Sequence, residues 1–234
     1  MKKAIALPLA APEGSPAQRL AAVNARLAQA AREGNHPLPT LVAVSKMFDA
    51  DAIRPLIAAG QRCFGENRVQ EAAAKWPALH AETPGLALHL VGQLQSNKAG
   101  DAVRLFDAIH SVDRSSLVSA LARACDAEGR QPLLFVQVNI GDEPQKGGVA
   151  LAALPALLVE AKDAGLAIHG LMAVPPAEQD PAPYFALLAK LAARHGLKGL
   201  SMGMSGDYDV AARLGATCVR VGSALFGNRT LTTI

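Results

Sequence analysis

The sequence predicts a single (β/α)8 barrel of the TIM type with an extra helix at its start. Three observations lead there. Short apolar runs alternate with helix-length amphipathic stretches, and the alternation repeats eight times along the chain. The length of 234 residues is near the ~250 typical of such barrels. Half of the residues are hydrophobic and only 18% are charged, which suits one large core rather than a disordered or fibrous chain. Because a helix joins each pair of strands, the sheet should be parallel. The same alternation permits an open doubly wound sheet, but no Gly-x-Gly-x-x-Gly fingerprint follows the first strand.

The extra helix begins at Ser15, with Pro16 at its first position and Gln18 completing an S-x-x-Q capping box. Leu20, Val23 and Leu27 mark its apolar face and Gly34 closes it. Residues 1–14 are read as a flexible extension and 15–234 as the barrel domain. The first strand is 41–46, between Pro39 and Asp49. Asp49 or Asp51 caps the next helix, which carries Ile53, Leu56 and Ile57 and stops at Gly60, so Pro55 should lie in its first turn. Residues 63–65 form the second strand, after which Glu66 opens a helix that turns Val69, Ala73 and Trp76 inward and ends at Pro77. The third strand is 86–91, with its helix at 96–105. The fourth is 106–112, followed by a helix capped at Asp113, packed through Leu117, Leu121 and Ala124, and stopped at Gly129. The fifth is 133–139, and a glycine-rich loop at 141–148 leads to a helix ending near Gly165. Strands at 167–172, 199–204 and 217–221 complete the eight, with helices at 184–195 and 207–214.

Net charge is +3 and the sequence pI near 8.9, with the basic residues scattered rather than gathered. Aromatic residues are only 4%. Neither a duplex-binding surface nor stacking platforms for single strands are expected, so nucleic acid is not a predicted partner. The three cysteines, Cys63, Cys125 and Cys218, lie far apart with no C-x-x-C pair, which fits a reduced, cytoplasmic setting. Met1-Lys2-Lys3 and the small residues after it have the flavour of a secretory signal, but the apolar run is short and broken by Pro8. No stretch is long enough to span a membrane.

A barrel of this kind carries its site at the C-terminal ends of its strands, with phosphate commonly held after strands seven and eight. Those ends offer Lys46 from strand one, Glu66 and Asn67 from strand two, Gln93 from strand three and Asn139 from strand five. A lysine at a strand mouth can be partly desolvated and supply the neutral amine for a Schiff base with an aldehyde; equally it can be a solvated lysine snorkelling off the strand. Strands seven and eight give Gly203-Met204-Ser205-Gly206 and Gly222-Ser223, small turns whose amides can approach a phosphate. Either turn alone would be read as a tight strand-to-helix connection. Arg220 shares a strand face with Gly222, and a buried guanidinium there needs a partner: a ring nitrogen or a core carboxylate would serve. A Schiff-base lysine, a phosphate cradle and such an arginine together describe pyridoxal 5'-phosphate, or more loosely a phosphorylated aldehyde in an aldolase.

The motifs LVAVSK at 41–46, FGEN.VQE at 64–71, H.VG.LQSNK at 89–98, Lys146 with Gly148, GLM at 170–172, LSMGMS at 200–205 and VRVGSALFG at 219–227 resemble the pyridoxal phosphate homeostasis protein family, also called the YggS/PROSC family. The likeness runs from about residue 15 to residue 229. It implies one barrel similar to the N-terminal domain of alanine racemase, binding pyridoxal phosphate without established catalysis and helping to control its supply. By motif, Lys46 is similar to the family's Schiff-base lysine, Asn67 to the asparagine beside the cofactor, and Arg220 to the arginine facing the pyridine nitrogen. Met204 and Ser205, with Gly222 and Ser223, match the phosphate turns; Ser223 stands where threonine is commoner and keeps the hydroxyl. No role is assigned to His89, Asn97, Lys98 or Lys146, and no metal is expected.

The leading expectation is a cytoplasmic, monomeric carrier or regulator of the cofactor, with pyridoxal-phosphate-dependent apoenzymes as partners. The alternatives are an amino-acid racemase or other pyridoxal enzyme and a lysine-dependent aldolase. A racemase resemblance would imply a second, β-rich domain bringing a catalytic tyrosine, whereas the chain ends at Ile234 and its tyrosines are Tyr184 and Tyr208.

Overall fold

A computed structural model of the chain describes residues 14–227. The extension expected at 1–14 therefore lies, but for Gly14, outside the described residues, as does the end of the predicted barrel domain at 228–234. Among the described residues there are eight strands: β1 (Thr40–Val44), β2 (Cys63–Glu66), β3 (Ala87–Leu90), β4 (Ala108–Val112), β5 (Leu133–Val138), β6 (Ile168–Ala173), β7 (Gly199–Ser201) and β8 (Cys218–Val221). Each pairs in parallel with the next, and β8 returns to β1 through the register Thr40↔Cys218 and Val42↔Arg220, so the sheet closes on itself. Closure leaves no sheet edge unpaired.

The helices are α1 (Pro16–Glu33), α2 (Ala50–Ala58), α3 (Val69–Glu82), α4 (Ala99–Leu105), α5 (Ser115–Glu128), α6 (Leu154–Asp163), α7 (Ala182–Arg194), α8 (Tyr208–Arg213) and α9 (Ser223–Phe226). They cover the outer face of the strands, and the core lies between the two layers, around Trp76, Phe64, Phe106, Phe185 and a set of fully buried leucines. Each such leucine contributes ~1.5–3 kcal/mol of burial. Among the described residues no helix is long and apolar enough to cross a membrane.

The capping box at Ser15 forms as expected: Ser15 Oγ accepts from the Gln18 amide at 3.3 Å and Gln18 Oε1 accepts from the Ser15 amide at 2.8 Å. Helix α1 then lies against α8 and α9. Arg19 Nε donates to the Leu225 carbonyl at 2.6 Å, and Arg26 pairs with Asp209 at 2.8 Å. Since α9 has only four residues, α1 supplies the outer cover that a full-length helix after β8 would give.

Several boundaries differ from the sequence reading. Pro55 lies inside α2 beyond its first turn, and Pro77 lies inside α3 rather than ending it. Both prolines are exposed, as are Asp51 and Ala73 four residues before them, so water can satisfy the carbonyls that lose an N–H partner. Ala72, not Ala73, is the inward alanine of α3. Glu66 does not open a helix; it ends β2, fully buried. Residue 113 does not cap α5 either, because Arg114 occupies the cap position and Asp113 Oδ1 accepts from Arg114 Nη1 at 2.7 Å.

Candidate functional site

Strand β1 stops at Val44, two residues short of the sequence expectation, and Lys46 rides on the turn that follows. Ser45 still joins the ladder, its amide donating to the Gly65 carbonyl at 2.9 Å, and Phe48 N closes the turn onto the Ser45 carbonyl at 3.1 Å. The Lys46 side chain is half-buried and makes no hydrogen bond or ion pair with any described residue. Its stem follows the chain out of the strand, and its amine is left free for chemistry.

Beside this turn, β8 pairs with β1, and β7 and β8 end in the two small turns. Gly203 has φ +91°, and a Cβ there would meet the Ala211 Cβ at 2.6 Å, so the backbone can turn this tightly only without a side chain. Ser205 Oγ accepts from the amides of Gly222 at 3.2 Å and Ala224 at 3.4 Å, which draws the two turns together. Ser205 is half-buried, while Met204 and Ser223 are exposed at the rim. The Met204 amide donates to Asp207 Oδ1 at 2.6 Å. Burial pushes the Asp207 carboxyl up, against the pull of that amide and of Arg220.

Arg220 is buried on β8. Its Nη1 donates to Ser201 Oγ at 2.6 Å and its Nη2 to the Ala173 carbonyl at 3.0 Å. No carboxylate among the described residues lies within ion-pair distance of it, so the core ion pair that the sequence allowed is absent there. Burial lowers its pKa, as expected for a guanidinium without a counter-charge. From Ser201 a chain of polar contacts continues down the barrel interior: His110 Nδ1 at 2.7 Å, His110 Nε2 to His89 Nδ1 at 3.1 Å, and His89 Nε2 to Cys63 Sγ at 3.4 Å. Arginine can only donate, which assigns the direction of every proton along this chain when the Ser201 hydroxyl donates onward to His110. Burial keeps both imidazoles neutral, His89 pushed down to about 4 and His110 well below its usual value. His89, His110 and Cys218 offer metal donors within 4.8 Å of one another, but both histidines are already engaged in this chain.

A cavity of about 640 Å3 opens between these elements. Lys46, Asn67, Met204, Ser205, Arg220, Gly222 and Ser223, the residues singled out from sequence, all line it. Asn67 is held there by the close approach of the 91–95 loop: a Cβ on Gly92 would meet the Asn67 carbonyl oxygen at 2.3 Å. Gly206, part of the small turn after β7 read from sequence, lines it as well; Val44, Phe48, Val91, Val174 and Gly227 complete the described lining and were not picked out as site residues in sequence. Val44 could have been, because it precedes Lys46 by one strand period; Val174 carries no such signal. Phe48 stacks on Phe226 with ring centroids 4.7 Å apart, walling one side.

Other strand-end residues go elsewhere. Gln93 Nε2 donates to Gln137 Oε1 at 2.6 Å, and Asn139 holds the glycine-rich loop through Glu143 at 2.9 and 3.1 Å. Lys98 pairs with Asp101 at 3.7 Å and Lys146 with Glu143 at 2.6 Å, and neither lines the cavity, nor does Asn97.

The fold and site define a closed βα barrel whose C-terminal mouth gathers a lysine amine and two small amide-bearing turns around one cavity. The family described as the N-terminal domain of alanine racemase matches residues 18–230. The pyridoxal phosphate homeostasis protein of Pseudomonas aeruginosa is 41% identical over 222 residues, covering 91% of this chain and 95% of that protein. That of Escherichia coli is 39% identical over 227 residues, covering 91% and 96%. The structure of PipY from Synechococcus elongatus with pyridoxal phosphate bound superposes with a TM-score of 0.79 at 42% identity, covering 91% of this chain and all of that one. The chain belongs to the pyridoxal phosphate homeostasis protein family.

Proposed function

We propose that this protein binds pyridoxal 5'-phosphate covalently through Lys46 and serves the intracellular homeostasis of that cofactor rather than a reaction on amino acids. The observation that carries the reading is convergence: an unpaired amine, two amide-bearing turns and a buried guanidinium open onto one cavity. Lys46 offers the amine that condenses with the aldehyde. Ser205 and the amides of Gly222 and Ala224, already mutually aligned, would take the phosphate oxygens. Arg220 spends two of its five N–H donors on Ser201 and Ala173, leaving donors for the ring nitrogen, and Asn67 lies beside the ring's path. When bound, the cofactor supplies an electrophilic carbon and a ring able to accept negative charge. The structure of PipY with pyridoxal phosphate bound and the names of the curated relatives support the same ligand.

The lining supports a quiet chemistry. Among the described residues around the cavity only Lys46 and Arg220 are ionisable, and an arginine does not give up its proton. Racemisation needs an acid and a base on opposite faces. Tyr208 is buried against Arg26 and Tyr184 donates to Gln179; neither lines the cavity. Recipient apoenzymes, a monomeric state and a cytoplasmic location, in keeping with three free cysteines, belong to the same reading, as does residues 15–234 acting as one domain.

The test is borohydride reduction of the loaded protein followed by peptide mapping. The pyridoxyl group is expected on Lys46, and Lys46→Ala should be folded and colourless; label on another lysine would overturn the assignment. Loaded protein incubated with L-alanine in deuterated water should exchange the α-proton no faster than free cofactor does. Rapid exchange abolished by Lys46→Ala would favour the racemase reading instead.

A further inference from the structure

The motif residues Glu66 and Glu71, with Lys75, play no part in the cavity lining, yet they converge on the turn that carries Lys46. That turn is closed by the Phe48 amide on the Ser45 carbonyl, and Met47 adopts φ 64°, a left-handed conformation that a non-glycine residue holds only under constraint. The constraint comes from α3. Lys75 Nζ donates to the carbonyls on either side of the turn, Ser45 at 3.0 Å and Phe48 at 2.8 Å. Glu71 Oε1 accepts from the Met47 amide.

Lys75 is held in turn by two carboxylates, Glu66 Oε1 at 2.9 Å and Glu71 Oε1 at 3.1 Å. An ammonium has three protons, so these four acceptors share them and the head group has no spare direction in which to swing. Glu66 is fully buried, and its Oε1 also accepts from Ser45 Oγ at 2.6 Å and Trp76 Nε1 at 3.1 Å. The carboxylate thus ties β2, the residue before Lys46 and the largest side chain of α3 to one point. Burial pushes its pKa up, and the bonds from Ser45, Lys75 and Trp76 work against that push.

We propose that Lys75 is a positioning residue for Lys46: held by Glu66 and Glu71, it fixes the turn that presents the Lys46 amine to the cavity. The role presupposes Lys46 as the attachment point, where amine and aldehyde join in a C=N bond with loss of one water. It concerns the amine, since Lys75 is bonded to the Ser45–Phe48 turn and to its two carboxylates, and to none of the residues of the phosphate turns.

The experiment separates the two halves of the site. Pyridoxine 5'-phosphate, which carries an alcohol in place of the aldehyde, reports phosphate and ring binding by calorimetry. The rate of covalent attachment of pyridoxal 5'-phosphate to the apo-protein, followed by stopped-flow absorbance, reports the amine. Lys75→Met should keep pyridoxine phosphate affinity within about twofold while slowing attachment by about tenfold or more, the factor that loss of one charge-assisted hydrogen bond implies. Lys75→Arg should recover part of the rate, because a cation still reaches the carbonyls. Glu71→Ala removes only the Met47 contact and one partner of Lys75 from a partly exposed position; it should slow attachment by a smaller factor and carries the test if Lys75→Met does not fold. Unchanged attachment rates in Glu71→Ala and in any folded Lys75→Met would overturn the proposal, as would a loss of pyridoxine phosphate affinity as large as the loss of attachment rate. Peptide mapping of the reduced wild-type protein keeps the failures apart: label away from Lys46 sinks the attachment reading and the positioning role with it, whereas label on Lys46 with an unaltered Lys75→Met rate sinks the positioning role alone.

Discussion

Replacing Ser201 by alanine removes one oxygen from the middle of the barrel, where two buried groups meet it. Arg220 Nη1 donates to that oxygen at 2.6 Å, and His110 Nδ1 lies 2.7 Å away. A hydrogen bond to a charged group is worth ~1.5–3 kcal/mol and a neutral one ~1 kcal/mol, and the fully buried His110 cannot turn to bulk water instead. The expected loss is ~2–4 kcal/mol, or roughly 5–15 °C in melting temperature for a chain of this size. Urea unfolding of the apo-protein, followed by circular dichroism, should show a lower midpoint with an unchanged slope. An internal control sits nearby on β4. Ser111 is also fully buried, but its hydroxyl has no partner among the described residues. Ser111→Ala should therefore be neutral or stabilising by up to ~1 kcal/mol, from the same atomic change. If Ser201→Ala stays within ~0.5 kcal/mol of wild type, or if the two substitutions have equal effects, the polar chain contributes nothing to stability.

Three further outcomes are expected. Ser205→Asp places a carboxylate against the amides of Gly222 and Ala224 and should abolish pyridoxine phosphate binding in a folded protein, through like-charge repulsion in a partly dry site; retained affinity in calorimetry would move the phosphate elsewhere. Gly92→Ala drives a methyl into the Asn67 backbone and should cost ~1–3 kcal/mol by urea unfolding, since the Cβ would lie 2.3 Å from the Asn67 oxygen; an unaffected midpoint would mean that this loop is loosely packed. Stability should fall on acidification below pH 6.5: His89 titrates near 4 in the fold against 6.5 unfolded, so the unfolded chain binds more protons in that window. The contribution is fully present above pH 6.5 and lost towards pH 4, ~3 kcal/mol from His89 alone. His110 adds in the same sense, while Glu66, raised by burial, offsets part of the loss. A flat midpoint from pH 7 to 4.5 would contradict the neutral imidazole pair.

Legibility in the sequence followed the physics of each signal. Strand periodicity and terminal glycines located all eight strands, because in a two-layer barrel the apolar run and its turn are local features. The cavity-lining residues were legible because strand ends converge by topology in a barrel, so Lys46, Arg220 and Ser205 needed no contact information to be grouped. What failed was chemistry completed by distant partners. Glu66 looked like a helix opener in sequence, since its acceptors' donors, Ser45, Lys75 and Trp76, come from two other elements. Pro55 and Pro77 looked like stops because their solvent exposure, which makes them tolerable, is a tertiary fact. His89 was left without a role for the same reason: its partners, Cys63 and His110, stand on the neighbouring strands.

Helix α1 is made early and used late. Its docking surface is α8 and α9, and the bond from Arg19 to Leu225 spans 206 residues. At translation rates of ~5–20 residues per second, roughly 10–40 s separate the emergence of the two ends of that contact. During that interval Leu20, Val23 and Leu27, buried in the finished fold, lack the α8 and α9 surfaces and have only the smaller contact with α2 to cover them. The nascent chain thus carries a largely uncovered amphipathic helix until α8 and α9 have left the ribosome. Proteolysis of ribosome-bound chains halted before Tyr208 should cut at Arg19 and Arg26, and protection at both sites would show that α1 finds cover earlier than the fold implies.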